Sequence, residues 1–343
     1  MHDVPPATAT DATRDHGTPT SGRSPAARVA IALVTVYVLW GSTYLGIHYV
    51  VASMPPFLSA SIRFVVAGAL LYPFAIRRGS SQLRATDRPT RRHWRSALII
   101  GGMLLAFGNG GVSAAERYVP SGTAALLVAM VPLWMALFGR LRYRERLRTV
   151  AVVGLLIGFG GVALLVSGSK NGSGSGHAGH LNASGFGWLV FATLAWSSGS
   201  LYARKAPMPV RPLVGTAMEM LAGGAVCVVI AGVLGEFSRV DFQHVHASSW
   251  IGLGYLVVFG SLVAYSAYTW LLRNAPTPLV STYAYVNPAV AVLLGWLIAD
   301  EQLTTRTVAA AAVIVVGVAL IVSAPRRREP LTGGRGGGSG SAG

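Results

Sequence analysis

Ten stretches of mostly apolar residues, each about twenty long, run through this chain at 29–50, 57–77, 95–114, 121–139, 149–167, 185–203, 213–234, 249–271, 278–298 and 305–323. A helix needs about 20 such residues to cross the ~30 Å hydrocarbon core of a bilayer. Lipid offers no hydrogen bonds to a backbone, so only helices or a closed barrel can span it. Barrel strands alternate in polarity over about 10 residues; these runs are longer and do not alternate. The chain therefore reads as an all-α polytopic membrane protein with ten transmembrane helices. Only 12% of its residues are charged and 52% are hydrophobic, about half the charged share of a soluble domain.

The formal charge of +16 raises nucleic acid as a partner, but its placement excludes it. Arg77, Arg78, Arg84, Arg88, Arg91, Arg92 and Arg95 follow the second span, and Arg140, Arg142, Arg144, Arg146 and Arg148 the fourth. Arg204, Lys205 and Arg211 follow the sixth, and Arg273 the eighth. With the two tails, 23 of the 28 basic residues fall on one side of the membrane; only Arg117, Lys170, Arg239 and Arg306 fall on the other, and Arg63 lies inside a span. Positive loops stay in the cytoplasm, so both termini are predicted cytoplasmic, in a plasma (bacterial inner) membrane.

Residues 1–28 lack the apolar core of a signal peptide and read as a disordered tail, as do 324–343. Residues 169–184 read as a flexible Gly/Ser-rich linker. His177 and His180 there have the spacing of metal ligands, but a solvated linker is the better reading, and no metal or cofactor is expected. The single cysteine, Cys227, excludes a disulfide framework.

Residues 29–168 and 185–323 match each other at an offset of 156. Trp40 falls on Trp196, Ser42 on Ser198, Arg117 on Arg273, Pro120 on Pro276, Pro132 on Pro288 and Glu145 on Glu301; residues 117–168 hold 16 identities in 52 positions. Each half has five spans, an odd number, so the second half enters the membrane from the opposite side. Two inverted five-helix repeats are an arrangement of secondary transporters, with a site near the midplane.

WGSTYLGI at 40–47, PPFLSASIRFVVAG at 55–68 and GNGGVSAAERYVPSGTAALLVAMVPLWMALFGRL at 108–141 resemble the EamA-domain group of drug/metabolite transporters, in particular the exporters of bacterial inner membranes. The resemblance covers about 29–323. It implies ten helices in two inverted halves and export of small metabolites, amino-acid-like or drug-like, through a central cavity. The direction of transport rests on this resemblance alone.

Candidate site residues follow from polarity inside the spans. Trp40, Ser42 and Tyr44 on the first helix, with Trp196 and Ser198 on its repeat partner, either line a central cavity or serve close packing with Gly41. Arg63 and Glu219 are charges within spans, costly enough to need a cavity or a partner, and they are repeat equivalents, since 63 + 156 = 219. Each lies ~9 Å from its own entry face; the faces are opposite, leaving about 12 Å between them along the normal, which argues against direct contact. Arg63 is the candidate anchor for a substrate carboxylate and Glu219 the proton-titrating group, with snorkelling as the alternative for both. Asn109, Tyr265, Tyr268, Tyr283, Tyr285 and Asn287 are candidates for the cavity wall. Pro132 and Pro288 are expected to kink the fourth and ninth spans. Gly154, Gly158 and Gly161 form a small-residue face for packing within a monomer or across a homodimer.

An enzyme would need a nucleophile with a base, a metal cluster or paired carboxylates at one depth; the only carboxylate inside a span is Glu219. No GxxxxGK[ST] loop appears, so ATP does not drive this chain directly. The expected function is alternating-access export of a small molecule, coupled to protons or run as facilitated exchange.

Overall fold

The computed structural model describes residues 25–78, 80–82, 87–143, 149–167, 182–275, 277–280, 282–299 and 304–323. Arg84, Arg144, Glu145, Arg146, Arg148, Lys170, His177, His180, Pro276, Glu301, nearly all of the linker, residues 1–24 and the second tail lie outside them, as does the side chain of Tyr285. No strand occurs among the described residues.

The first half comprises α1 (Pro25–Val51), α2 (Pro56–Arg77), α3 (Arg91–Ala115), α4 (Ser121–Val128), α5 (Val131–Tyr143) and α6 (Thr149–Ser167). The second comprises α7 (Ala183–Ala203), α8 (Pro212–Val233), the single turn α9 (Glu236–Arg239), α10 (Ala247–Asn274), the short α11 (Thr277–Val280), α12 (Tyr283–Ile298) and α13 (Thr305–Ser323). Of these, α1, α2, α3, α8 and α10 are long and apolar enough to cross a membrane by length and composition alone. The fourth span is α4 with α5, and the ninth α11 with α12. Together the helices form ten spans in two five-span halves.

Helix starts follow local chemistry. Pro56 and Pro212 open α2 and α8, where a helix has no N–H bond to lose. Asn182 caps α7 by accepting the Ser184 N–H at 2.9 Å, and Thr90 with His93 closes a reciprocal box at the start of α3. The proline positions differ from the expectation of two mid-span kinks. The fourth span breaks at 129–130, and Pro132 is the second residue of the new helix, where its missing donor costs little. Pro288 does lie inside a helix, α12.

The halves pack as an inverted pair. A methyl placed on Gly68 would sit 2.8 Å from Leu221 Cγ, and one on Gly224 would sit 2.7 Å from Val65 Cγ2. Position rises on α2 as it falls on α8, so the two helices cross antiparallel. At the offset of 156, Val65 corresponds to Leu221 and Gly68 to Gly224, so each contact is the image of the other. The pair α6 and α13 repeats the pattern: Gly161 meets Ile314, and Gly317 meets Gly158, whose equivalents are 317 and 314. A two-fold axis perpendicular to the helices gives this result; an axis along them would make equivalent helices parallel. The small-residue face of α6 is thus used within the monomer.

One contact is tighter still. A methyl on Gly101 would lie 2.3 Å from the Glu219 carbonyl oxygen and 2.7 Å from Gly223 N. Both are backbone atoms, which cannot rotate away. Gly101→Ala is therefore expected to destabilise the protein by at least the ~1–3 kcal/mol of an overpacked core, read as a lower melting temperature in detergent. The same substitution at Gly160, which has open space around it, should change little.

Loop carboxylates tie the halves at both ends of the α2–α8 pair. Asp87, in the loop after α2, accepts the backbone N–H groups of Val210 and Arg211 at 2.9 Å each, and the Arg211 Nε–H at 3.1 Å. Arg211 in turn donates to the carbonyls of Ile76, Arg78 and Asp87. Burial alone would raise the Asp87 pKa; the bonds from Arg211 and Val210 outweigh it and hold the carboxyl below its ordinary value. At the opposite end Glu236, in the loop after α8, accepts the Leu58 N–H at 2.7 Å. There burial dominates and raises the carboxyl above its ordinary value, against the backbone donors and Arg117 and Arg239.

Candidate functional site

The aromatic residue of the first helix meets its own repeat image. Trp40 on α1 and Trp196 on α7 make a T-shaped contact with ring centroids 5.4 Å apart. Equivalent residues in mutual contact lie on the two-fold axis, so this pair marks the centre of the molecule. Tyr268 of α10 and Tyr283 of α12 complete the cluster, 4.7 Å and 5.4 Å from Trp40 by ring centroids. Such pairs contribute about 0.5–1.5 kcal/mol each beyond their burial. The Trp40 indole N–H donates to the Gly260 carbonyl at 3.3 Å.

Against this cluster lies a cavity with about 520 Å³ of open space, its mouth included. Its wall includes Trp40, Tyr44, Asn109, Trp196, Tyr283 and Asn287, along with Thr43, Ile47 and Thr193, which sequence reasoning passed over. Helical spacing contains the missing signal: Thr43 is three residues after Trp40, and Thr193 three before Trp196, on the same faces. Among the described residues, none of the fourteen that line it is acidic or basic.

Five candidates lie elsewhere, Tyr268 among them in the aromatic cluster. Ser42 Oγ is 2.5 Å from the Tyr255 hydroxyl and bonds back to the Leu39 carbonyl, so it joins α1 to α10. Ser198 is half-buried and does not line the cavity. The packing role of the motif is visible at Gly41, where a methyl would sit 2.6 Å from Val290 Cβ. Arg63 lines a second, smaller cavity that shares Ile47 with the first, and Tyr265 is buried outside both.

The two intramembrane charges take separate partners, and these too are repeat images. Arg63 donates from Nη1 to Asn109 Oδ1 at 2.9 Å and from Nε to Ser261 Oγ at 2.8 Å. Glu219 accepts the Tyr265 hydroxyl at 2.7 Å. Since 109 + 156 = 265, each buried charge holds the equivalent residue of its own half. Both charged side chains are almost wholly buried, and no Arg63–Glu219 ion pair occurs. Asn109 and Tyr265 each end a π-helical segment, Gly102–Asn109 in α3 and Leu256–Tyr265 in α10. An i→i+5 turn rotates the side chains that follow relative to those before. It brings Asn109 to face both the cavity and Arg63.

Asn287 is almost wholly buried. Assigned from its surroundings, its amide nitrogen donates to the carbonyls of Tyr283 and Tyr37, both at 3.2 Å, joining α12 to α1 beside Pro288. Tyr37 also bonds Thr282 through its hydroxyl. Among the described residues no cluster of His, Cys, Asp and Glu is placed to hold a metal ion, and Cys227 is a buried free thiol.

Comparison with known proteins agrees with this architecture. The chain is 39% identical over 278 residues to YedA of Escherichia coli (strain K12), an uncharacterized inner membrane transporter, covering 80% of this chain and 83% of that one. It is 25% identical over 289 residues to a probable amino-acid metabolite efflux pump of Salmonella typhimurium (strain LT2), covering 80% and 89%. A protein crystal structure superposes with a TM-score of 0.59 at 22% identity, covering 86% of this chain and 96% of that one; this likeness is one of fold. The EamA-like transporter family matches twice, at residues 27–167 and 183–323, in register with the two structural halves, and the chain belongs to that family of multi-pass membrane transporters.

Proposed function

We propose that this protein is a secondary exporter of small metabolites, amino-acid-like or drug-like, working by alternating access in a bacterial inner membrane with both termini in the cytoplasm. The observation that carries this reading is the cavity on an inverted two-fold axis. Two halves of opposite orientation around one site can exchange conformations and so present that site to either face in turn. The name of the Salmonella relative supports export and an amino-acid-like cargo. The excess of arginines after the second and fourth spans supports the orientation. The reading makes the protein a carrier rather than an enzyme, and a monomer suffices for it, since both halves are in one chain.

Glu219 is the proposed proton-coupling residue. It is the only carboxylate within a described span, and the bond it accepts from Tyr265 is stronger to the carboxylate than to the neutral acid. Purified protein in liposomes, tested by counterflow with pools of amino acids and cationic drugs, should show saturable uptake that shifts with an imposed pH gradient. Glu219→Gln should retain counterflow, which needs no net proton movement, and lose the response to the gradient. Saturable uptake indifferent to the gradient in the unaltered protein would replace proton coupling with facilitated exchange. Failure of every pool would remove the support for this choice of cargo.

A further inference from the structure

The two asparagines on the cavity wall are both held in one orientation. Asn109 receives the Arg63 guanidinium on its oxygen, and its amide nitrogen has no hydrogen bond among the described residues while the residue faces the cavity. An amide that accepts at one end must offer its N–H groups at the other. Asn287 is fixed the opposite way: its nitrogen is taken by the Tyr37 and Tyr283 carbonyls, so its oxygen is the acceptor it can offer. The two wall threonines are satisfied internally, whereas the buried Trp196 indole N–H has no hydrogen-bond partner among the described residues and is a second donor on the wall. Thr43 donates to the Trp40 carbonyl at 2.7 Å, and Thr193 donates to Val190 while accepting from Trp134.

From this arrangement we infer that Arg63 is a positioning residue rather than an anion anchor, and that the cavity selects an uncharged, ring-bearing solute whose polar group both accepts and donates, such as a carboxamide. The inference rests on the reading of the cavity as a substrate site, and of the two proposed cargo classes it favours the drug-like one over zwitterionic amino acids. Three observations carry it. The wall contains rings but no charged group, and an uncompensated ion is costly to desolvate. The Arg63 guanidinium donates to Asn109 and Ser261 and lines a separate, smaller cavity rather than this one. One wall amide is turned to donate and the other to accept.

The test uses three ligands that share a phenyl ring: phenylacetamide, phenylacetate and phenethylamine. Binding to the full chain in nanodiscs is read by quenching of tryptophan fluorescence, with Trp196→Phe identifying the cavity signal. Phenylacetamide should bind tightest. Asn109→Asp keeps the size and converts the Arg63 contact to an ion pair, so the tether survives while the donor becomes an acceptor. It should weaken phenylacetamide by about 3–10-fold, the equivalent of one hydrogen bond, and leave the melting temperature at or above that of the unaltered protein. Arg63→Lys retains the positive charge but cannot hold Ser261 and the Asn109 amide together; it should reduce the preference for the amide.

Several results would overturn the inference. Phenylacetate binding tightest and surviving Arg63→Lys would restore the anion anchor. Phenethylamine binding tightest would mean that the ring faces read a cation. Equal binding of all three, or of none, would show that the asparagines do not select. Transport is scored separately: amide preference without counterflow would sink the carrier reading alone, and counterflow without amide preference would sink this inference alone.

Discussion

Asp87→Ala will lower the stability of the folded protein by about 3–5 kcal/mol, the usual effect of removing one partner of a buried ion pair. The side chains of Asp87 and Arg211 are only 5% and 8% exposed, so water replaces little of what is lost. Two N–H groups at the entrance to α8 lose their acceptor, and the Arg211 guanidinium loses its countercharge. Asp87→Asn should be milder, because an amide oxygen can still accept from the backbone. The pair Asp87→Ala with Arg211→Ala should cost less than the sum of the singles, since no charge is then left unpaired. Thermal melts in detergent across these four variants and the unaltered protein measure this directly.

The same contact sets a pH dependence. The Asp87 carboxyl is held below its ordinary value in the folded state, so the unfolded chain takes up its proton first as the solution is acidified. The contribution is complete above the ordinary carboxylate pKa and is lost as pH falls through the depressed folded value. The fall in melting temperature on acidification should be steeper in the unaltered protein than in Asp87→Asn. Glu236 works in the opposite sense: its folded value is raised, so its protonation on acidification favours the folded state and blunts part of the slope.

Trp40→Ala is the second large effect. Trp40 is nearly buried, touches three aromatic rings and bonds Gly260. Truncating a core tryptophan costs ~3–5 kcal/mol, and here it also opens the wall between the cavity and the Tyr268–Tyr283 side. Less folded protein should be recovered, and liposomes carrying the surviving fraction should pass the cargo without saturation. Trp40→Phe retains a ring and should restore most of the stability while still lacking the bond to Gly260. If Trp40→Ala melts like the unaltered protein, the cluster is not a packed seal.

Much of the fold is legible in the sequence because bilayer thickness leaves few choices. The starts and ends of the spans fall within a few residues of the described helices, and the repeat offset of 156 makes the two glycine contacts across α2 and α8 images of each other. The site is less legible, for particular reasons. Ser42 adjoins residues that line the cavity, but a helix advances 100° per residue and turns it toward Tyr255. The π segments have no compositional signature, and they decide where Asn109 and Tyr265 face. A sequence shows that Arg63 is buried but not that Asn109 and Ser261 are its partners. Pro132 reads as a kink at the centre of a long run, yet the run divides at 129–130, where alanine and methionine give no warning.

The pair of tryptophans on the axis has a consequence for the energy balance of the cycle. If the halves trade conformations, the partners that now press on Trp40 from the second half must be replaced by their first-half images around Trp196. Tyr268 corresponds to Val112 and Tyr283 to Leu127. One barrier is thus built of phenol rings and the other of aliphatic side chains, with smaller contact area and no hydroxyls. On such an exchange the form sealed by rings would have the larger packed contact, so the two resting positions would differ in depth.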